Sequence, residues 1–226
     1  MSTSFEALSE FDVALEEVNM LIKSASKNEK NALYYKAINK SAILLLAAKF
    51  EAFIENILEE YIAKLNKLKL SNIKVPQIIK LNHSFNKLDR IHSCKGHKQK
   101  LSEIEGLFKE MSVLWSSRKQ IFKSIELPIS FDYKHGEKEI TDLFIQIGMT
   151  NILDEEIISN KKEKIDIRGK INSLTHLRNN IIHEDATPTL THLEIRDYLE
   201  SFQKFAEKIT DLLKADLMRI KNVSCR

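Results

Sequence analysis

The chain has 226 residues, enough to bury a core without staples and to form one large domain or one domain with an insertion. Two cysteines, Cys94 and Cys225, exclude a disulfide framework, and a net charge of +3 permits nucleic-acid binding without arguing for it, since dedicated binders are more basic or more polarised. With 5 Gly and 3 Pro among abundant Leu, Ile, Lys, Glu and Ala, the composition favours helix throughout.

A first helix is predicted from about Ser4, as N-cap, to Ser24, on the recurrence of Phe5, Leu8, Phe11, Leu15, Val18 and Ile22. The N-terminal residues lack the basic and apolar regions of a signal peptide. A long second helix follows, from about Asn31 to Lys67. It is apolar nearly all round over 43–48, which predicts a central helix surrounded by partners. The longest apolar run, Ala42 to Ala48, is too short to span a bilayer. These features, with two unpaired cysteines, predict a cytoplasmic protein with no membrane partner. Glu51 falls on the apolar stripe of this helix, between Ala47 and Leu58. It either reaches water at the stripe's edge or meets a donor or cation.

Residues 68–160 read as an elaboration between two halves of a helical core. A short helix is expected over 76–80, then one over 98–114 with Leu101, Ile104, Leu107, Phe108, Met111 and Leu114 on one face. A further helical turn or two is expected over 117–125, and an extended segment over Leu127–Tyr133. A helix follows over 137–147, stopped by Gly148, and a linker or short helix over 151–160. The third long helix runs from about Ile165 to His183 on Ile167, Ile171, Leu174, Leu177 and Ile181. The last runs from about Leu193 to Ile220, with Thr191 and Glu194 as a capping box. Its stripe is Ile195, Leu199, Phe202, Phe205, Ile209, Leu212 and Leu217. Four long amphipathic helices make a helical bundle, in a single domain over 1–226.

The third helix ends on Leu177-Arg178-Asn179-Asn180-Ile181-Ile182-His183. At about 100° per residue, Arg178 falls within the arc of Ile167 and Ile171 and points toward the bundle. An arginine there needs a carboxylate, a phosphate or an interface, and Glu51 is the other charge on an apolar stripe. The two are expected to approach each other. Arg168, Asn172, His176, Asn179 and His183 line another face, where amide and imidazole replace the usual Lys and Glu; such a face suits a wet groove or a two-fold interface. Asn179 stands one turn from His183 and is placed to orient its imidazole.

Arginine and histidine suffice for RNA cleavage through the 2′-hydroxyl. The guanidinium stabilises charge growing on the phosphate, and the imidazole takes or gives a proton. No metal or cofactor is called for, because the 2′-hydroxyl is a built-in nucleophile. Chance alone gives roughly 0.2 such Arg-to-His spacings in this composition, so the spacing is weak by itself. The helix end, the Asn after the Arg and the uncharged face carry the argument.

The stretch 177–183, late in a helix and followed by a long amphipathic one, resembles the signature of the HEPN superfamily. Residues 46–55 resemble the second helix of HEPN nucleases from defence and toxin loci. The resemblance covers the first two and last two helices and implies a HEPN-like four-helix bundle with a mostly helical insertion. It further implies a metal-independent endoribonuclease acting as a homodimer, with Arg178 and His183 catalytic and Asn179 orienting or contacting the scissile phosphate. Glu51 would support Arg178. Many such proteins are toxins or antiviral effectors restrained by a partner such as an antitoxin. The alternative is a non-catalytic helical module that binds RNA or assembles with protein.

Two further features are set aside. The Arg90-to-His97 spacing lies in a glycine-containing segment, and His83, His92, Cys94 and His97 match no strong zinc pattern and read as surface loop. Lys161, Lys162, Lys164, Arg168 and Lys170 form a basic lead-in to the motif helix, either a solvated face or a set of phosphate contacts.

Overall fold

Apolar residues at three- and four-residue steps become seven α-helices among the residues that the computed structural model describes, 4–131, 135–158 and 163–223. These are α1 (Glu6–Lys27), α2 (Ala32–Lys67), α3 (Gln77–Ser93), α4 (His97–Leu114), α5 (Glu137–Ile145), α6 (Ile167–Glu184) and α7 (His192–Val223). Two isolated antiparallel bridges, Ser71–Ile121 and Ile158–Lys164, are the extended pairings among the described residues. No helix there is long and apolar enough to cross a membrane. The fold is all-α.

The chain forms two compact units. The first comprises Met1–Ile57, Phe131–Thr141 and Asn151–Leu212; the second comprises Leu58–Ser130, Asp142–Thr150 and Leu213–Arg226.

In the first unit, α1, the first part of α2, α6 and most of α7 pack as a four-helix bundle around aromatic rings. Phe11 stacks on Phe53 at 4.7 Å between centroids, and Phe50 stacks on Phe202 at 4.3 Å. Each such ring contributes about 1.5–3 kcal/mol through burial. Polar bonds set the helices' register: Gln203 donates to Asp12 (3.0 Å) and Tyr198 to Ser173 (2.7 Å). Around residue 45, α2 is covered on most sides rather than all. Ile43, Leu46 and Ala47 are buried, Leu44 and Leu45 half-buried, and Ala48 exposed.

The helix ends differ in how far they follow local chemistry. The N-cap of α1 is Phe5, without a side-chain cap bond, rather than Ser4; Phe5 is buried, so packing overrides capping preference. The capping box of α7 forms: Thr191 donates its N–H to Glu194 Oε2 (2.8 Å), and Glu194 donates its own to Thr191 Oγ1 (3.3 Å). At its far end the buried stripe passes through Leu213 rather than Leu212.

The second unit departs further from expectation. Helix α3 is 17 residues long, not one turn. Its apolar spacing is poor because Ile79 and His83 face inward while Leu81, Phe85 and Leu88 are exposed. His83 is therefore not on a surface loop. Its ring is fully buried, accepting from the Glu126 backbone N–H at Nδ1 (3.0 Å) and meeting Glu110 Oε1 at Nε2 (3.0 Å). The tautomer that satisfies both carries its proton on Nε2. His92, Cys94 and His97 lie at the α3–α4 junction, and no three His, Cys, Asp or Glu side chains converge as a metal site among the described residues.

Residues 117–125 are not helical. Ile121 bridges to Ser71, and the buried Asn72 side chain closes the loop, donating to Val113 O (2.9 Å) and Ser116 O (2.8 Å) and accepting from Gln120 N–H (2.9 Å). Residues 127–131 are irregular, and Asp132 and Tyr133 lie outside the described residues. After α5, Gly148 takes φ +91°, where a Cβ would also press on Ile78 at 3.0 Å. A 3-10 turn, Ile152–Asp154, occupies part of 151–160.

Candidate functional site

Helix α6 starts on Asp166, whose carboxylate accepts from Gly169 N–H (2.9 Å), so the helix begins with one orphan donor satisfied. Ile167, Ile171, Leu174 and Ile181 are buried, while Leu177 is half-buried. The helix ends at Asp185, in the left-handed region at φ 49°. Lys40 of α2 holds this turn, donating to Asp185 Oδ1 (2.7 Å) and O (2.9 Å). Asn39 donates to Leu190 O (3.1 Å), and Tyr35 Oη accepts from His192 N–H (3.1 Å). One face of α2 thus straps down the segment that follows the motif.

Arg178 and Glu51 come together. Arg178 Nε is 3.8 Å from Glu51 Oε1, each side chain 22% exposed. Arg178 Nη1 donates to Asn179 Oδ1 (3.2 Å), and among the described residues Nη2 has no hydrogen-bond partner. The guanidinium is held from two sides with donors to spare. Asn179 is half-buried and His183 exposed, as is its neighbour Ile182. No hydrogen bond joins Asn179 to His183 among the described residues; the Asn179 oxygen accepts from Arg178 instead. The amide–imidazole pair of this helix is Asn180 with His176, at 3.0 Å.

His135, which the sequence did not single out, is the second partner of Glu51. Its Nδ1 lies 3.0 Å from the same Oε1 that faces Arg178. The ring is not angled for a hydrogen bond, and Nδ1 has no hydrogen-bond partner among the described residues. Burial pushes the Glu51 carboxyl above its ordinary value, His135 and then Arg178 pull it back without cancelling the rise, and Glu55 adds to it. Glu55 is itself occupied, accepting from Phe131 N–H (2.9 Å). Gly136 at φ +132° turns the chain from His135 into α5, a conformation that favours glycine. That glycine after a histidine, just ahead of a helical pattern, was the available signal.

Between Glu51 and α6 lies a cavity of about 10 Å³, lined by Ala47, Phe50, Ile171, Leu174 and Thr175 among others. That is room for one water molecule at most, so it is not a substrate pocket. The exposed end of α6 is where a large ligand can reach Arg178 and His183.

Two cations of the basic lead-in to α6 are paired. Arg168 pairs with Glu137 and with Asp154 (2.8 Å), and Lys170 pairs with Asp197. Asn172 donates to Glu137 (2.8 Å). Lys161 and Lys162 lie outside the described residues.

An all-α fold with an Arg–Asn–His helix end on α6 agrees with the HEPN-like pattern of the sequence. A family model described as RiboL-PSP-HEPN matches residues 9–215, and the chain belongs to that family. No curated protein matches it, and neither does any solved structure.

Proposed function

We propose that the protein is a metal-independent endoribonuclease. The supporting observation is the arrangement of Arg178: held by Glu51 and Asn179, with Nη2 unclaimed among the described residues, at the end of the helix that exposes His183. In the proposed reaction the 2′-oxygen attacks phosphorus and the 5′-oxygen leaves, giving a 2′,3′-cyclic phosphate and a 5′-hydroxyl. His183 takes the 2′-hydroxyl proton, and Arg178 binds the non-bridging oxygens as their charge grows. Protonation of the leaving oxygen calls for a second acid. A homodimer supplies it as His183 of the partner subunit, with the exposed Ile182–His183 end at the seam. Restraint by an antitoxin or other defence partner fits such an activity, since an unrestrained ribonuclease harms its host.

The test is cleavage of single-stranded RNA by pure protein in EDTA. Arg178→Ala and His183→Ala should each lower the rate by about 10²–10⁴-fold, with RNA affinity reduced far less. Products should carry the cyclic phosphate, and 2′-deoxy substitution at the cleaved nucleotide should block the reaction. Activity that EDTA abolishes, or that both variants retain, would rule out this mechanism. A pure dimer that binds RNA and cleaves none would identify a non-catalytic binding module.

A further inference from the structure

The modest net charge hides a strong division. The second unit carries 18 Lys and Arg against 9 Asp and Glu, a net of +9; the first carries 17 against 23, a net of −6; together they make the chain's 35 and 32. The unit that holds Arg178 and His183 is thus the one that repels a polyanion overall. Within the second unit, residues 61–88 and 111–125 contain nine Lys and Arg and not one Asp or Glu.

The fold brings these two acid-free segments together. The Ser71–Ile121 bridge joins them, with Asn72 N–H donating to Gln120 O (2.7 Å) and Phe122 N–H to Leu70 O (3.2 Å). Lys69 and Lys123 each stand two residues from the bridge, at its same end. Arg118 and Lys119 sit on the loop that Asn72 clamps at Ser116 and Gln120. Lys67, Lys69, Arg118, Lys119 and Lys123 are all exposed, and none makes an ion pair among the described residues. Trp115, three residues before Arg118 and 45% exposed, is held by its Nε1 bond to Ser84 (3.2 Å), with Lys80 Nζ over its ring at 5.5 Å from the centroid. Lysines of like charge held on one rigid loop pair repel one another, and a run of phosphates relieves that repulsion while releasing counterions.

We infer that this face of the second unit, built on Lys67, Lys69, Arg118, Lys119 and Lys123, is a binding surface for the phosphate backbone of single-stranded RNA. The choice of RNA rests on the ribonuclease reading. The surface does the electrostatic work that the acidic first unit cannot. Its cations stand on the last residue of α2 and on the irregular segments around the Ser71–Ile121 bridge rather than along one amphipathic helix, which distinguishes it from the common design of a membrane-surface element.

The test uses full-length protein carrying His183→Ala, so that binding is measured without cleavage, and a fluorescent oligouridine read by anisotropy between about 50 and 200 mM salt. Lys69→Gln/Arg118→Gln/Lys123→Gln should weaken binding at least about tenfold and lower the salt slope by about 2, near 0.7 per lost phosphate contact. Lys23→Gln/Lys30→Gln/Lys36→Gln, an equal loss of charge from the first unit, should change affinity less than about twofold, since none of the three belongs to the surface proposed to contact phosphate. Matching thermal unfolding of the two triples shows that both fold. Equal losses in the two triples, or no loss in the first, would overturn the proposal. So would binding to phosphatidylserine vesicles without binding to oligouridine. Cleavage by the wild-type protein is scored separately. Cleavage with patch-independent binding removes this inference alone, and patch-dependent binding without cleavage removes the ribonuclease reading alone.

Discussion

Different chemistry stabilises each of the two units internally. The first is an aromatic bundle: Phe11, Phe50, Phe53, Phe202 and Phe205 pack against one another, and ion pairs such as Lys40–Asp185 and Lys49–Glu17 tie the helices at its surface. The second relies on buried and half-buried polar side chains that substitute for missing backbone partners. Asn66 brackets Ile125, donating to its carbonyl (2.9 Å) and accepting from its N–H (2.7 Å), as a bridging strand would. Asn72 does the same for the 113–120 loop and His83 for Glu126, while Tyr61 donates to Asp216 (2.6 Å); burial, and then the Asp216 carboxylate, push the Tyr61 phenol well up. A bundle tolerates loose polar chemistry on its rim. A unit with long irregular segments must satisfy each buried backbone group by name. The lesson is that catalysis is proposed where packing is regular and RNA capture where the chain is irregular but pinned.

Mutations can sharpen that contrast. The largest effect is expected in the aromatic core: Phe202→Ala removes a fully buried ring stacked on Phe50 and should cost about 3–5 kcal/mol in denaturant unfolding. A loss below about 1 kcal/mol would mean that the bundle is not organised around this stack. Asn72→Ala, which deletes three bonds from a fully buried amide, should cost about 2–3 kcal/mol. It should also raise hydrogen exchange at 116–122 and weaken oligouridine binding, while leaving exchange in α6 unchanged.

The smallest effect has the opposite sign. Because the Glu51 carboxyl is raised in the folded state, that state holds more protons than the unfolded one between the ordinary value of 4.5 and the raised value. Its stabilising contribution is present below 4.5 and lost as pH rises through the raised value. Glu51→Gln should therefore be slightly more stable than wild type at neutral pH, with the advantage vanishing below the ordinary carboxylate range. The same change should slow RNA cleavage, because Arg178 loses its anchor. A variant less stable at every pH would show that the pairings to Arg178 and His135 outweigh the burial of the charge.

The core helices were legible because their apolar spacing and their buried faces coincide, as in α1, α6 and most of α7. Helix α3 was not, since its outward side carries Leu81, Phe85 and Leu88 and its inward side carries a histidine. In the candidate site, the approach of Arg178 to Glu51 could be read from two charges on apolar stripes, because a charge there must meet its opposite. His135 could not. It reaches Glu51 across 84 positions of chain, through a turn set by one glycine, and no periodicity marks it.

Local physics thus determined the helical class, the four long amphipathic helices and the Arg–Asn–His helix end; all follow from residue propensity and 3.6-residue spacing, which act within a few turns. Tertiary structure alone decided what shares the Glu51 oxygen, which lysines find carboxylates and which stand unpaired, and that a buried asparagine joins two acid-free segments into one basic face. Those outcomes depend on which distant segments meet, and pairing at long range is set by how the whole core closes.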